Sequence, residues 1–370
     1  MKRIIAAVMP AVMLVMLAYG CQTPPPGKEA SPIQKGVIVT QAAFVGNDAC
    51  AECHRRAFEE HRLSRHALTM RSGDVASLAQ LAPKAGKIGD SGYSIQHEAG
   101  KLVFTRDDGS ESAEIQRVFG SGKSGMTFTG KFTSDRMTEF RLSYIPNSKT
   151  WYITPGQEGQ GDMKLGIDHV RGMATRCVTC HATHSASGSP LPAPEAFGVG
   201  CESCHGPGGD HVTAAKSKAS DLKIEFMSKW DTPKLEALCA KCHRSANDVS
   251  MVTRDASSTA RFQPYGLEMS PCFRKSNGKL NCMTCHDAHG DRKPNLAIYE
   301  KTCISCHSPT PTVETRGTPD KPQICPINQK DRCIGCHMPQ RQVFSGSKLP
   351  LTMADHLIWA YRPLRGATRN

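Results

Sequence analysis

Cys282-Met283-Thr284-Cys285-His286 is the stretch on which the reading of this chain turns, because the same spacing recurs six more times. The other copies are Cys50/Cys53/His54, Cys177/Cys180/His181, Cys201/Cys204/His205, Cys239/Cys242/His243, Cys303/Cys306/His307 and Cys333/Cys336/His337. Numbered along the chain, they are motifs 1 to 7. Cys-x-x-Cys-His is the attachment signature of c-type haem. Residues i and i+3 share one side of a helical turn, so both thiols can meet the two vinyl groups on one haem edge. The histidine that follows lies on the same turn and can swing beneath the iron as the proximal ligand. Zinc sites pair Cys-x-x-Cys units without needing a histidine after each. A thioredoxin-like motif occurs once per domain, and a disulfide framework does not repeat one five-residue string. Seven covalent haems c, with iron, are therefore expected.

Working outward, the chain has 370 residues and 17 Cys, far too many for an ordinary cytosolic enzyme. Its first residues agree with export. Lys2-Arg3 precedes an apolar run from Ile4 to Leu17, too short to span a bilayer comfortably, which reads as a secretory signal over residues 1–20. Ala18-Tyr19-Gly20-Cys21 resembles a lipobox, with Cys21 the lipidated residue and Gln22 after it pointing to the outer membrane. Residues 21–43 follow as a lipidated, Pro-rich tether containing Pro24-Pro25-Pro26. The remaining boundaries are a first haem segment (44–90), a β-rich insertion (91–155), a six-haem cluster (156–345) and a C-terminal tail folding back on the haems (346–370).

The insertion is expected from short alternating runs at Tyr93–His97, Leu102–Thr105, Phe128–Phe132 and Phe140–Tyr144, separated by turn signals such as Asp108-Gly109. A helix is expected from Ala57 to about Met70. Motifs 2 to 7 occupy 161 residues, about one per 27, too dense for a side-chain core. The fold class is accordingly mainly α and irregular, wrapped around stacked haems, with a small antiparallel β insertion. The formal charge is +12. Losing Lys2 and Arg3 leaves +10, and fourteen haem propionates bring it to about −4, so the basicity is counter-charge and not a nucleic-acid footprint.

Several strings are similar to the cytochrome c-554 family. They are Phe44-Val45-Gly46 before motif 1, Ser64-Arg65-His66-Ala67, Gly200 to Gly208 around motif 3 with His211, Cys282 to Gly290, and Cys333 to Pro339 followed by Asp355-His356. The resemblance runs over most of residues 44 to 356. It implies a periplasmic or surface electron-transfer protein whose haems are mostly bis-His, with some relatives being enzymes that keep one iron open.

The sixth iron ligands must come from the eight other histidines. His66, His169, His184, His211, His289 and His356 are the expected distal set. His61 is a weaker candidate, and His97 reads as a strand residue. Cys272 and Cys325 are left over and are expected to form a disulfide. The function expected is electron transfer between redox partners at the periplasmic or outer surface, by hopping between haems. One alternative is an oxidoreductase acting on a small nitrogen or sulfur oxyanion at a five-coordinate haem; another is a subunit of an extracellular cytochrome wire. Partners expected are other cytochromes or a quinol-linked donor, the membrane through the lipid anchor, and in the wire case further copies as an oligomer or filament. No phosphate-binding loop, dinucleotide fingerprint or His-Glu-x-x-His is present.

Overall fold

The computed structural model describes residues 43–132, 136–159, 164–170, 173–184, 192–249, 259–308, 325–328, 330–344 and 348–361. The expected signal, Cys21 and nearly all of the tether lie outside them. No helix among the described residues is long and apolar enough to cross a membrane.

Two antiparallel sheets make up the β part. The strands are β1 (Met70–Ser72), β2 (Gly86–Lys87), β3 (Tyr93–Glu98), β4 (Lys101–Arg106), β5 (Ser112–Glu114), β6 (Arg117–Phe119), β7 (Met126–Gly130), β8 (Arg136–Ile145), β9 (Thr150–Ile153) and β10 (Gly166–Val170). One sheet runs β1-β6-β7-β8-β10 with β9 also on β8, and the other runs β2-β3-β4-β5. Period-two alternation places Phe140, Leu142 and Tyr144 of β8 on one buried face. They join Ile95, Leu102, Phe104, Ile115, Val118 and Phe128 in one core. Phe104 stacks on both Tyr93 (5.0 Å) and Phe140 (5.1 Å), the offset geometry aromatic pairs favour.

The strands extend past 91–155 on both sides. β1 and β10 carry too few apolar residues to show alternation, and only pairing with β6 and β8 makes them strands. The helix expected from Ala57 to Met70 is shorter, Arg55–His61. Ser64 ends it: its N–H returns to the His61 carbonyl (2.8 Å) and its hydroxyl accepts the Ala67 N–H (3.2 Å). The chain then enters β1.

Seven helices carry a motif in whole or in part: α1 (Gly46–Ala51, with only Cys50 of motif 1), α2 (Met173–His181), α3 (Cys201–His205), α4 (Thr232–His243), α5 (Cys282–Cys285, ending before His286), α6 (Ala297–His307) and α7 (Cys333–His337). Local sequence explains their starts. Asp231 caps α4 through the Lys234 N–H (3.0 Å), with Pro233 in the first turn. Asn281 and Thr284 form a capping box on α5. Alternation also docks α2: Val118 of β6 points into the sheet core, while Phe119 faces outward with Met70 and Met137 against Val178 and Ala182.

Two glycines permit close crossings. Gly198 (φ +76°) lies where a Cβ would meet the Ala67 carbonyl oxygen at 2.0 Å, and this contact holds the approach to α3 against the segment bearing His66. Gly266 lets the tail pass, since a Cβ there would sit 2.7 Å from the Leu357 nitrogen. The tail is pinned by β12 (Thr352–Ala354) pairing with β11 (Gln340–Gln342), and by the Ile358 N–H donating to Ser270 Oγ (2.8 Å).

Candidate haem-binding site

Four pairs of histidine rings face each other across nearly constant gaps. Their centroid separations are 6.3 Å for His54/His211, 6.1 Å for His66/His243, 6.2 Å for His205/His289 and 6.2 Å for His286/His356. Two imidazole nitrogens, each about 2.0 Å from one metal on opposite sides, put ring centroids on the order of 6 Å apart. The residues therefore fit bis-His iron at motifs 1, 4, 3 and 5. Motif 1 also borders an open cavity of about 480 Å³ lined by Cys53, His54, Arg55, Arg56, Asp287 and His289 among others.

Hydrogen bonds set which nitrogen faces the gap. His211 Nδ1 donates to the Leu222 carbonyl (2.8 Å), His243 Nδ1 to Gln263 Oε1 (2.9 Å), His356 Nδ1 to the Ala354 carbonyl (2.9 Å) and His337 Nδ1 to the Trp359 carbonyl (3.0 Å). An oxygen acceptor at Nδ1 fixes the proton there and leaves the Nε2 lone pair for a metal. Burial also pushes the His356 imidazole down to about 4, so it stays neutral, the ligating form. The loop carrying His289 is tied down through Asp291, which pairs with Arg65 and with Lys123 Nζ (2.7 Å).

Two other histidines have the opposite polarity. His97 turns Nε2 to the Pro83 carbonyl (3.0 Å) from β3. His169, expected as a distal ligand, lies on β10 with Nε2 against Glu139 Oε2 (3.2 Å), so its ligating nitrogen is engaged by a carboxylate. His184, also expected as distal, stacks on Phe44 at 4.0 Å. His61 is buried beside His205 and His289; desolvation, then the His289 charge, holds it below the usual imidazole range. Of the seven candidates, then, His66, His211, His289 and His356 are brought to motif histidines at metal-bridging distance.

His181 of motif 2 has different surroundings. Its Nδ1 lies 2.7 Å from Thr69 Oγ1 and 3.2 Å from the Thr69 carbonyl oxygen, and its ring meets the edge of Phe119 at 5.2 Å. Among the described residues, the ring beside His181 is this phenylalanine. Cys272 and Cys325, expected to be bridged, are both free. Cys272, half-buried in the helix Pro271–Lys275, feels the thiols of Cys285 and Cys306, and Cys325 acts on Cys333.

The motif thiols approach one another in a definite order. Cys50 lies close enough to Cys201 to feel its thiol, as Cys180 does Cys242 and Cys239 does Cys282. Cys204 also feels Cys239, and Cys303 feels both Cys285 and Cys333. The motifs are thus adjacent in the order 1-3-4-5-6-7, with motif 2 joined at motif 4.

Exposure divides the two thiols within a motif. Cys336, expected as an attachment residue like the other thirteen, is an exposed residue of the chain rather than a packed one, and so are Cys53, Cys204 and Cys242. All four are the second cysteine of their motif, whereas the first cysteine of each of these motifs is half-buried. In motifs 3, 4 and 7 the second cysteine is the penultimate residue of its helix, as it also is in motifs 2 and 6, where Cys180 and Cys306 are half-buried, so position in the helix does not by itself set exposure. A thiol that must bond a porphyrin edge has to reach out of the polypeptide, so exposure of Cys336 suits attachment.

Sequence reasoning picked out the Cys-x-x-Cys-His residues but missed the oxygen partners of Nδ1. Three of these are backbone carbonyls with no side-chain signature, and Gln263, the first residue of the helix Gln263–Met269, is held by its amide N–H to Met353 Sδ (3.7 Å).

Seven attachment motifs and four histidine pairs define a protein that carries several haems. The model of the cytochrome c554 and c-prime family matches residues 143–206, which contain motifs 2 and 3. The multiheme cytochrome MtrA of Shewanella baltica is 26% identical over 173 residues, which are 44% of this chain and 47% of that protein. The chain thus spans about half the length of that curated relative. Among solved structures, outer cell wall cytochrome OcwA is similar at 16% identity, with TM-score 0.49 over 85% of this chain and 79% of that one. The undecaheme cytochrome from the S-layer of Carboxydothermus ferrireducens is also 16% identical, with TM-score 0.43 over 80% and 51%. The motifs, the family match and the sequence relative together make this chain a multihaem c-type cytochrome that binds haem c covalently.

Proposed function

We propose that the chain binds seven haems c and carries electrons between redox partner proteins at the periplasmic or outer surface. The observation that carries this reading is the set of four histidine pairs at 6.1–6.3 Å. Bound haem supplies an iron that gains or loses one electron without rearranging its ligands. The chain's own part would be to hold haem between paired imidazoles, fix tautomers through Nδ1, and keep the motif helices adjacent in the order 1-3-4-5-6-7 with motif 2 beside motif 4. A histidine pair closed on both sides leaves no position for a substrate, which suits a carrier. Other cytochromes are the partners this reading calls for. Export and a lipid anchor at Cys21 rest on the leader sequence.

A second reading is favoured by one observation, the Phe119 edge beside His181. A phenylalanine supplies no ligand, so motif 2 is where an iron open to a small nitrogen or sulfur oxyanion would lie.

Mass spectrometry and carbon monoxide titration test both readings. The carrier reading expects seven haem additions to the mature chain, with carbon monoxide leaving the reduced spectrum unchanged. Fewer haems sinks the count at a nameable motif. One equivalent of carbon monoxide bound, and lost in His181→Ala, moves the assignment to the second reading.

A further inference from the structure

Three buried glutamates and one asparagine repeat a contact between motif helices. Asn47 Oδ1, three residues before Cys50, accepts the Cys201 N–H at the start of α3 (2.9 Å). Glu236, three residues before Cys239, accepts the Cys282 N–H at the start of α5 with Oε1 (2.8 Å). Glu300, three residues before Cys303, accepts the Ile334 N–H in the first turn of α7 (3.4 Å). Glu202, inside motif 3, reciprocates to motif 1. Its Oε1 accepts the Val45 N–H (3.0 Å) and the Gly208 N–H (2.7 Å), and its Oε2 accepts the Gly46 N–H (2.9 Å).

All three glutamates are buried, at 5%, 5% and 6% exposure. A local cap would join residues a few positions apart, but the bonds between motif helices span 34 to 157 positions. Their pairing also coincides with thiol proximity, since Cys50 lies by Cys201, Cys239 by Cys282 and Cys303 by Cys333. Motif 2 departs from the pattern: Ala174 stands three residues before Cys177, and α2 docks on the sheet instead.

We propose that Asn47, Glu202, Glu236 and Glu300 are positioning residues that lock the haem-bearing helices in the pairs 1/3, 4/5 and 6/7, and that the three carboxylates lower the reduction potentials of the haems held on them. Orphan N–H groups at a helix start need acceptors, and a side chain from the next motif helix supplies them only at one relative placement. The residue three before the first Cys lies one turn earlier on the same helix face, so attachment and capping are directed together. A carboxylate in a low-dielectric site also interacts strongly with nearby charge. It favours the iron state carrying one more positive charge, which is the oxidised one. Glu202, held by three N–H donors, is best fixed and Glu300 least.

This inference rests on haem occupying the motifs, and its test keeps the two apart. Glu202→Gln, Glu236→Gln and Glu300→Gln are made singly in the full holoprotein, each with the corresponding Ala variant. Haem content is read by mass, and potentials by spectroelectrochemical titration. Each Gln variant retains an acceptor, and is expected to keep full haem content and the low-spin spectrum while part of its titration curve moves to higher potential. The shift is expected to be largest for Glu202→Gln and smallest for Glu300→Gln. Ala variants should shift likewise and also alter the low-spin EPR signals of the affected pair, a change that Gln rescues. Gln variants with full haem and unmoved curves overturn the proposal, as does an equal shift of every haem. Should an Ala variant fail to mature, the Gln variant alone decides. Wild-type protein lacking haem at these motifs refutes the occupancy instead.

Discussion

Replacing His356 tests the pairing geometry most directly. Its ring stands 6.2 Å from that of His286, with Nδ1 donating to the Ala354 carbonyl at 2.9 Å. His356→Ala removes one hydrogen bond, about 1 kcal/mol. It also removes the burial of a ring, about 1.5 kcal/mol of transfer free energy. The tail should therefore be destabilised by about 2–3 kcal/mol, within the usual range for a single substitution. Neither loss touches the Cys282 and Cys285 attachment, so haem content should be unchanged. With haem held at motif 5 as proposed, its iron would keep His286 and lose its other ligand. Carbon monoxide added to the reduced protein should then bind one equivalent more than in wild type. His66→Ala, His211→Ala and His289→Ala should each behave in the same way. His97→Ala and His169→Ala should add none, because Nε2 is turned to an oxygen in both. If His356→Ala gains no carbon monoxide site, or His169→Ala gains one, the argument from ring separation and Nδ1 tethering is wrong.

Gly198→Ala forces a methyl onto the Ala67 carbonyl at a left-handed φ, and should cost about 2 kcal/mol or more, read as a lowered denaturation midpoint. The hydrogen bond that His169 donates to the Glu139 carboxylate raises the His169 pKa. The pair therefore stabilises fully below the unfolded histidine value and fades as pH rises through the raised folded one. The urea midpoint of wild type relative to Glu139→Gln should accordingly shrink toward zero as pH rises above that value, and a constant difference across the range would refute the pairing. Cys21→Ser should abolish incorporation of labelled acyl chains, whereas a wild-type protein carrying no label would refute the anchor.

What the sequence revealed and what it hid divide along physical lines. Attachment is a local property, since two thiols and an imidazole on one turn suffice, so all seven motifs could be read directly. The strands expected at Tyr93–His97 and Phe140–Tyr144, which lie within Tyr93–Glu98 and Arg136–Ile145, were legible because one face is buried and alternation survives. β1 and β10 were not, because pairing alone defines them. Distal ligation is a long-range property. His66 reaches His243, and His356 reaches His286, across many intervening residues. His169 looked equally suitable on sequence until Glu139, on the neighbouring strand, took its Nε2. The buried glutamates hid for a related reason. A glutamate three residues before a cysteine reads as an exposed helix position until a second helix is laid against it.

The distribution of buried side chains explains why the motif region has these polar contacts. Among the described residues the fully buried phenylalanines, Phe104, Phe128 and Phe140, belong to the sheets. In the motif helices the buried side chains are few and mostly small or polar: Val178, Glu202, Thr232, Glu236, Glu300 and Ile334. A core of that kind gives little apolar burial to fix one helix against the next, since each large apolar side chain contributes about 1.5–3 kcal/mol. Directional bonds must then set the relative placement of helices between which the proposed haems would lie. Hydrogen bonds to charged acceptors, at about 1.5–3 kcal/mol each, suit that task better than packing does, because they specify angle as well as distance. The sheets need no such device and have their own side-chain core. They meet the motif region through Phe119, Met70 and Met137 against α2, the one motif helix outside the three capped pairs.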